Sequence, residues 1–366
     1  MKQHRSPARA PALPRVAPAG RGAVSNRSGR FEGVAREAVG DGWDIEEELP
    51  ALRTQATPDA TRTIITFNQS PDISFDRSIN PYRGCEHGCS YCFARPTHAY
   101  LGLSPGLDFE TRLLYKPDAA RLLDRELRAK SYQPRVIAMG TNTDPYQPLE
   151  RKMGITRSLL EVMRDFSHPV GIVTKSNLIA RDIDILGPMA QRRLARAAIS
   201  VTTLDRRLAR AMEPRAATPE RRLDAIRALS AAGIPTAVLV APIIPGLNDH
   251  EIEAIAEAAA EAGATSMGYV LLRLPLEIKD LFREWLEENV PDRASRVLKL
   301  LREMRDGKDY DARWFERQRG NGPFAKLIAD RARAARSRFG LGDDPPPFDL
   351  TLFKPPPAPG DQLVLW

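Results

Sequence analysis

The chain has 366 residues, carries 54 Lys and Arg against 47 Asp and Glu, and has a net charge of +7. This length suits a β/α barrel of about 250 residues with additions at both ends, and 42% hydrophobic residues supply one large core. An aromatic share of 7% argues against a stacking-rich RNA-binding sheet, no apolar run is long enough to span a bilayer, and the N-terminus has no apolar stretch typical of a secretory signal.

Residues 1–55 read as a disordered tail rich in Pro, Ala and Arg, with too few large apolar side chains to offset the entropy of ordering. Its arginines, Arg5, Arg9, Arg15, Arg21, Arg27 and Arg30 among them, are free on this reading to meet phosphates or simply water. Across residues 61–290, short β-branched runs alternate with amphipathic stretches. Strands are expected at 79–83, 136–140, 170–174, 198–203, 236–241 and 268–272, and helices at 117–130, 155–165, 219–232 and 250–262. Thr218 followed by Pro219 marks a helix start, and Gly233 a helix stop. Repeated strand–helix units predict an α/β fold with parallel strands and right-handed crossovers.

All three cysteines fall between positions 85 and 92, as Cys85, Cys89 and Cys92. An odd number of thiols in a long chain does not suit a disulfide framework. Structural zinc needs a fourth ligand, which His87 or a distant histidine would have to provide. Cysteines at intervals of four and three residues on one loop suit an iron–sulfur cube with one iron left open. The loop follows the first expected strand, the end at which β/α barrels build their sites.

The residues around these cysteines carry a resemblance. Ser78-Ile79-Asn80-Pro81-Tyr82-Arg83-Gly84 precedes them, Phe93-Ala94-Arg95-Pro96 follows, and a second block runs from Gly140 through Thr141, Asn142, Thr143 and Asp144 to Pro148. With these motifs the chain resembles the radical S-adenosylmethionine (radical SAM) enzymes, in the branch related to spore photoproduct lyase and the DNA repair photolyase-like proteins, over about residues 61–339. The resemblance implies a partial (β/α)6 barrel and a [4Fe-4S] cluster held by Cys85, Cys89 and Cys92. It also implies S-adenosyl-L-methionine on the open iron and a 5′-deoxyadenosyl radical as the reactive species. By the same resemblance Asp144 and Thr143 meet the methionyl amino group, Lys175 its carboxylate, Ser200 and Thr202 the ribose hydroxyls, and the Ala241 backbone the adenine. Tyr91 would pack beside the cluster. The lyases use a further cysteine to return hydrogen to the product radical. Here Thr141 and Asn142 stand in that stretch, which leaves Tyr82, Tyr91 or Tyr146 as stand-in donors. Asp144, Tyr91 and Tyr146 are the expected catalytic residues. An electron donor such as flavodoxin or ferredoxin and a cytoplasmic location follow from the same chemistry.

Residues 291–340 form a basic helical extension in which Arg313-Trp314-Phe315 and the loop from Arg319 to Phe324 combine cationic and aromatic groups. These suit phosphate contact and the filling of an extruded base's place, or packing onto the barrel. Residues 341–366 read as a stiff proline-rich tether, with triplets at Pro345 to Pro347 and Pro355 to Pro357. It ends in Gln362-Leu363-Val364-Leu365-Trp366, which resembles the peptides by which bacterial repair proteins bind the sliding clamp. The expected function is generation of a 5′-deoxyadenosyl radical acting on damaged or modified nucleic acid, as in spore photoproduct lyase-like DNA repair, with another hydrogen donor in place of the missing thiol. The alternatives are RNA or protein modification, or a non-catalytic iron–sulfur protein recruited to DNA through its tail.

Overall fold

The computed structural model describes residues 20–32, 52–342 and 345–357. Its strands are β1 (Gln55–Pro58), β2 (Ile65–Phe67), β3 (Arg77–Ile79), β4 (Tyr82–Arg83), β5 (Arg112–Tyr115), β6 (Ile137–Met139), β7 (Val170–Thr174), β8 (Ala195–Ser200), β9 (Thr236–Ile243) and β10 (Ser266–Leu271). The helices are α1 (Asp108–Thr111), α2 (Ala119–Leu127), α3 (Glu150–Met153), α4 (Ile155–Asp165), α5 (Ile183–Gln191), α6 (Arg206–Met212), α7 (Pro219–Ala231), α8 (Ile252–Glu261), α9 (Ile278–Asn289), α10 (Pro291–Glu303) and α11 (Gly322–Arg338).

The main sheet has the order β10-β9-β8-β7-β6-β3-β2. From β3 to β10 the strands are parallel and in chain order, and β2 joins antiparallel at the edge. No pairing among the described residues joins β10 to β2, so the barrel is open, as expected. Helices cover the outer face. In α4 the apolar positions Ile155, Leu159, Leu160 and Met163 fall on one side and are buried, the stripe a helix needs to seat on a sheet. The Thr218 side chain accepts from the Arg221 N–H and Pro219 opens α7, which satisfies one orphan donor and needs no other at the proline.

Two expected boundaries moved for a physical reason. The run at 79–83 is not one strand: β3 ends at Ile79, and Tyr82–Arg83 turns away to pair with β5 in a second sheet of order β1-β5-β4. The fourth barrel strand begins at Ala195 and ends at Ser200, so Thr202 lies beyond it.

Both termini depart from the reading as free tails. Residues 20–32 are ordered against the barrel by polar contacts to acidic residues together with buried Ala23 and Val24, and β1 by pairing with β5. Arg21 donates to the Glu110 carbonyl at 3.0 Å, Arg27 pairs with Glu284 at 2.5 Å, and Arg30 pairs with Glu277 at 2.8 Å. Residues 345–357 lie across the N-terminal ends of the barrel strands. Arg196 stacks on Phe348 at 4.0 Å, and Phe353 packs on Phe166, Tyr132 and His168. The tether packs there as a plug, lining an open cavity of about 620 Å³ together with Ala138, Gly171, Val173 and Ala198. The clamp-like peptide Gln362 to Trp366 lies outside the described residues. No helix is long and apolar enough to cross a membrane among those residues.

Candidate active site at the three-cysteine loop

The cysteine loop leaves the sheet after β4 and is tied down by its own backbone. Cys85 N–H donates to the Phe109 carbonyl at 2.9 Å, and Cys92 N–H to the Cys89 carbonyl at 3.2 Å. Arg95, fully buried, donates to the carbonyls of Cys89 (2.9 Å), Gly88 (3.1 Å) and Gly106 (2.8 Å) and pairs with Glu110. Glu110 in turn accepts the N–H groups of Gly22 (3.0 Å) and Ala23 (2.8 Å). A buried charge pair is tolerated where its remaining hydrogen-bonding capacity is filled, and this one is filled by the loop and the N-terminal segment.

Cys85, Cys89 and Cys92 face a cavity of about 100 Å³ together with His87, Thr143, Lys175 and Ser200. Burial pushes the Cys85 and Cys89 thiols up, and neighbouring carboxylates and thiols push them further. Three such thiolates need a cationic centre. A zinc ion holds sulfur at about 2.3 Å, which brings its ligand atoms within about 4 Å of one another. Among the described residues no three ligand atoms of this cavity lie within 4.8 Å of each other. The cysteines are thus not drawn together in the spacing of a preformed single-ion site.

Asp144 reaches this cavity with both oxygens engaged. Oδ1 accepts from Tyr146 N–H (2.9 Å) and Thr174 Oγ1 (2.6 Å), and Oδ2 from Lys175 N–H (2.9 Å), with His87 Nδ1 at 3.3 Å. Burial acts to raise its pKa, but His87 and these hydrogen bonds outweigh it and hold the carboxyl at about 2. A carboxylate offers about four acceptor sites, so the geometry makes Asp144 a tie between the cysteine loop, the β6 end and β7, in place of the expected ammonium acceptor. Gly140 permits the approach: a Cβ there would lie 2.0 Å from the Val173 carbonyl. Thr143 Oγ1 donates to the Gly84 carbonyl at 2.7 Å and accepts from Gln147 Nε2 at 3.1 Å, and the residue lines the cavity.

Lys175 and Ser200 stand as expected, at the ends of β7 and β8. The Lys175 ammonium lies 5.8 Å from the Tyr91 ring centroid and has no carboxylate partner among the described residues. The Ser200 hydroxyl opens on the cavity. Thr202 does not: its hydroxyl donates to Glu213 at 2.7 Å and lies 3.3 Å from the Ala241 carbonyl. Its ribose role is thus corrected, and Ala241 is drawn to the same network. Tyr91 donates to Glu213, which also pairs with Arg222. Burial raises the Glu213 pKa, yet Arg222 and Lys175 win and hold it at about 2. Tyr146 is fully buried facing Asp182 and Glu150, and Tyr82 donates to Glu150, so neither lines the cavity as the donor role requires.

His87, Arg95, Glu110, Glu213, Arg222 and Arg273 were not singled out as site residues from the sequence, apart from His87 as a zinc alternative. Arg273, just past β10, stacks on Phe93 of the cysteine loop at 4.3 Å. The one sequence signal for them is charge at positions that bury, and burial is decided by packing.

An open barrel of parallel strands with three cysteines gathered after the first defines a cluster-binding β/α enzyme. The sequence profile of the Radical SAM superfamily matches residues 79–259, and the chain belongs to that superfamily. Its enzymes use a [4Fe-4S] cluster and S-adenosylmethionine, and in this chain the three cysteines line one cavity. The uncharacterised protein Rv2578c of Mycobacterium tuberculosis strain H37Rv is 37% identical over 232 residues, covering 63% of this chain and 68% of that protein. The uncharacterised protein MJ0683 of Methanocaldococcus jannaschii is 27% identical over 58% of this chain and 76% of its own. Among solved structures, spore photoproduct lyase complexed with dinucleoside spore photoproduct has the same fold, with a TM-score of 0.57, 17% identity and coverage of 78% of this chain and 80% of that one. The lyase with bound AdoMet and the same dinucleoside aligns with a TM-score of 0.52 at 15% identity, covering 78% and 79%.

Proposed function

We propose that this radical SAM enzyme acts on nucleic acid carrying a damaged or modified base. The observation that carries the reading is the charge at the mouth of the site. Arg273 lies against Phe93, beside Cys92, and has no acidic ion-pair partner among the described residues. Burial lowers its pKa, and a desolvated guanidinium calls for an anion. A phosphodiester beside the reacting nucleotide supplies one. The fold shared with spore photoproduct lyase supports the same class of substrate.

When bound, the cluster and S-adenosylmethionine supply one-electron cleavage and hydrogen-atom abstraction from a substrate carbon. The chain's own residues then have separate tasks. Lys175 holds the methionyl carboxylate, Ser200 the ribose, and the Thr143 oxygen the amino group. Asp144 and His87 fix the loop ends, and residues 345–357 pack across the opposite end of the barrel. Thr141 and Asn142, both hydrogen-bonded to Asn80 Oδ1 at 3.1 and 2.9 Å, offer no thiol. Return of hydrogen as in the lyases therefore does not carry over, and the fate of the product radical differs. A flavodoxin or ferredoxin is the proposed electron donor, the cytoplasm the proposed location, and Gln362 to Trp366 the proposed sliding-clamp contact.

The test is anaerobic. Protein reconstituted with iron and sulfide and reduced with dithionite is given S-adenosylmethionine, alone and with oligonucleotides carrying defined base lesions. Cysteine-dependent 5′-deoxyadenosine, absent in Cys89→Ala and raised by one lesion, is expected. Stimulation by a peptide or by no oligonucleotide of the set would overturn the nucleic-acid reading.

A further inference from the structure

The cations singled out in the sequence near Trp314 are spent inside the protein. Arg313 is surrounded by Asp306 (Oδ2), Asp311 (2.7 Å) and Glu316 (2.8 Å), and Arg317 is held by Asp72. Others are not. An open groove of about 860 Å³ runs between the outer edge of β10 and α11, and Arg319, Lys326, Arg333 and Arg336 line it. Lys326 and Arg333 share one carboxylate, Asp330, each at 2.8 Å. Arg319 and Arg336 have no acidic partner among the described residues.

One end of the groove lies at the end of the barrel that carries the site. Gln318 accepts from the Leu271 N–H at 2.9 Å, placing Arg319 at the C-terminal end of β10. Two residues on, Arg273 reaches Phe93 of the cysteine loop. At the far end, Met267 N–H donates to the Leu341 carbonyl at 3.1 Å, so Arg336 stands near the start of the same strand. The α11 N-terminus, whose Asn321 side chain is drawn to Asp306 at 2.9 Å and leaves the helix uncapped by a side chain, adds partial positive charge beside Arg319.

We infer that this groove is a phosphate-backbone track: it holds the strand flanking the reacting nucleotide and leads it to Arg273 at the site mouth. The inference rests on the nucleic-acid reading above. Four cations against one carboxylate complement a polyanion, and the length of β10, at about 3.3 Å per residue, spans about three phosphates of an extended strand. Single-stranded or locally opened nucleic acid fits better than intact duplex, because the groove follows one strand edge.

The test uses cluster-loaded protein and a fluorescein-labelled single-stranded 20-mer, read by anisotropy across a salt series, with the duplex of the same sequence alongside. Wild type is expected to bind the single strand. Arg319→Gln/Arg336→Gln should weaken it about tenfold and flatten the log affinity against log salt slope by about 1.4, since two phosphate contacts at about 0.7 each are lost. Lys299→Gln, an exposed cation on α10 outside the groove, should change neither. Equal binding by wild type and the double variant would overturn the track while leaving the nucleic-acid reading standing. Failure of wild type to bind either oligonucleotide would remove both. Arg319→Lys/Arg336→Lys should restore most of the salt slope, which a folding defect would not.

Discussion

Asp72 and Arg317, 245 residues apart, form the ion pair that bridges the two ends of the open barrel. Asp72 follows β2, the last strand at one edge. Arg317 precedes Gln318, which bonds to β10 at the other. The Phe315 N–H adds a second bond to Asp72 at 2.6 Å, and Arg317 a third contact to Ser70 at 2.5 Å. The sheet is not closed by strand pairing, so this staple carries the closure. The Asp72 side chain is 2% exposed, so Arg317→Met leaves a buried carboxylate unpaired. A loss of about 3 kcal/mol is expected, measured as a lower urea midpoint, with faster amide exchange confined first to residues 68–76 and 305–319.

The N-terminal segment belongs to the cysteine loop's support. A Cβ on Gly22 would lie 1.6 Å from the Gly88 carbonyl oxygen and 3.3 Å from the Ser90 nitrogen, and backbone cannot yield as a flexible side chain does. Gly22→Ala should cost about 2 kcal/mol by overpacking. Residues 20–32 should lose exchange protection, and iron per chain after reconstitution should drop. Unchanged protection of 20–32 would show that the contact is dispensable.

Glu213 and Arg222 are both at most 2% exposed on their side chains. Glu213→Gln strands the guanidinium, with an expected loss of about 3–5 kcal/mol. The double variant Glu213→Gln/Arg222→Met should recover much of it. Chemical denaturation of wild type, Glu213→Gln, Arg222→Met and the double variant gives the coupling.

Lys175 is a cation awaiting its anion. Lys175→Met should weaken S-adenosylmethionine binding about tenfold or more, the worth of one charge-assisted hydrogen bond, while the protein without S-adenosylmethionine loses less stability than Glu213→Gln does, because Arg222 still pairs with Glu213. Equilibrium dialysis of the cluster-loaded protein measures the first.

Acid should loosen the plug before the barrel. His168 donates from Nδ1 to the Pro169 carbonyl at 3.0 Å, leaving Nε2 to accept from Tyr132 at 2.6 Å, and Phe353 packs edge-on at 5.5 Å. Burial lowers its pKa from 6.5 to about 4. The folded state thus favours the neutral ring: the stabilisation is complete above the unfolded pKa of about 6.5 and is lost as pH falls toward 4. About 2 kcal/mol should be gone by pH 5. The measurement is the urea midpoint at pH 7.5 and pH 5, with His168→Gln showing a smaller difference between them.

The sequence by itself determined the strand–helix alternation, the gathering of three cysteines on one loop and the strand-end positions of Lys175 and Ser200, because periodicity and spacing are local properties. Four barrel helices were legible from caps and apolar stripes to within a few residues. Only tertiary structure decided which charges are spent. Asp144 is filled by His87, Thr174 and the Lys175 backbone, and Thr202 is turned to Glu213. Arg21, Arg27 and Arg313 are paired internally, while Arg319 and Arg336 face an open groove. An arginine in a basic run reads the same whether its partner is a carboxylate 245 residues away, as for Arg317, or a phosphate outside the chain. Long-range packing chooses between them, and it does so through burial, where an unpaired charge is too costly to leave.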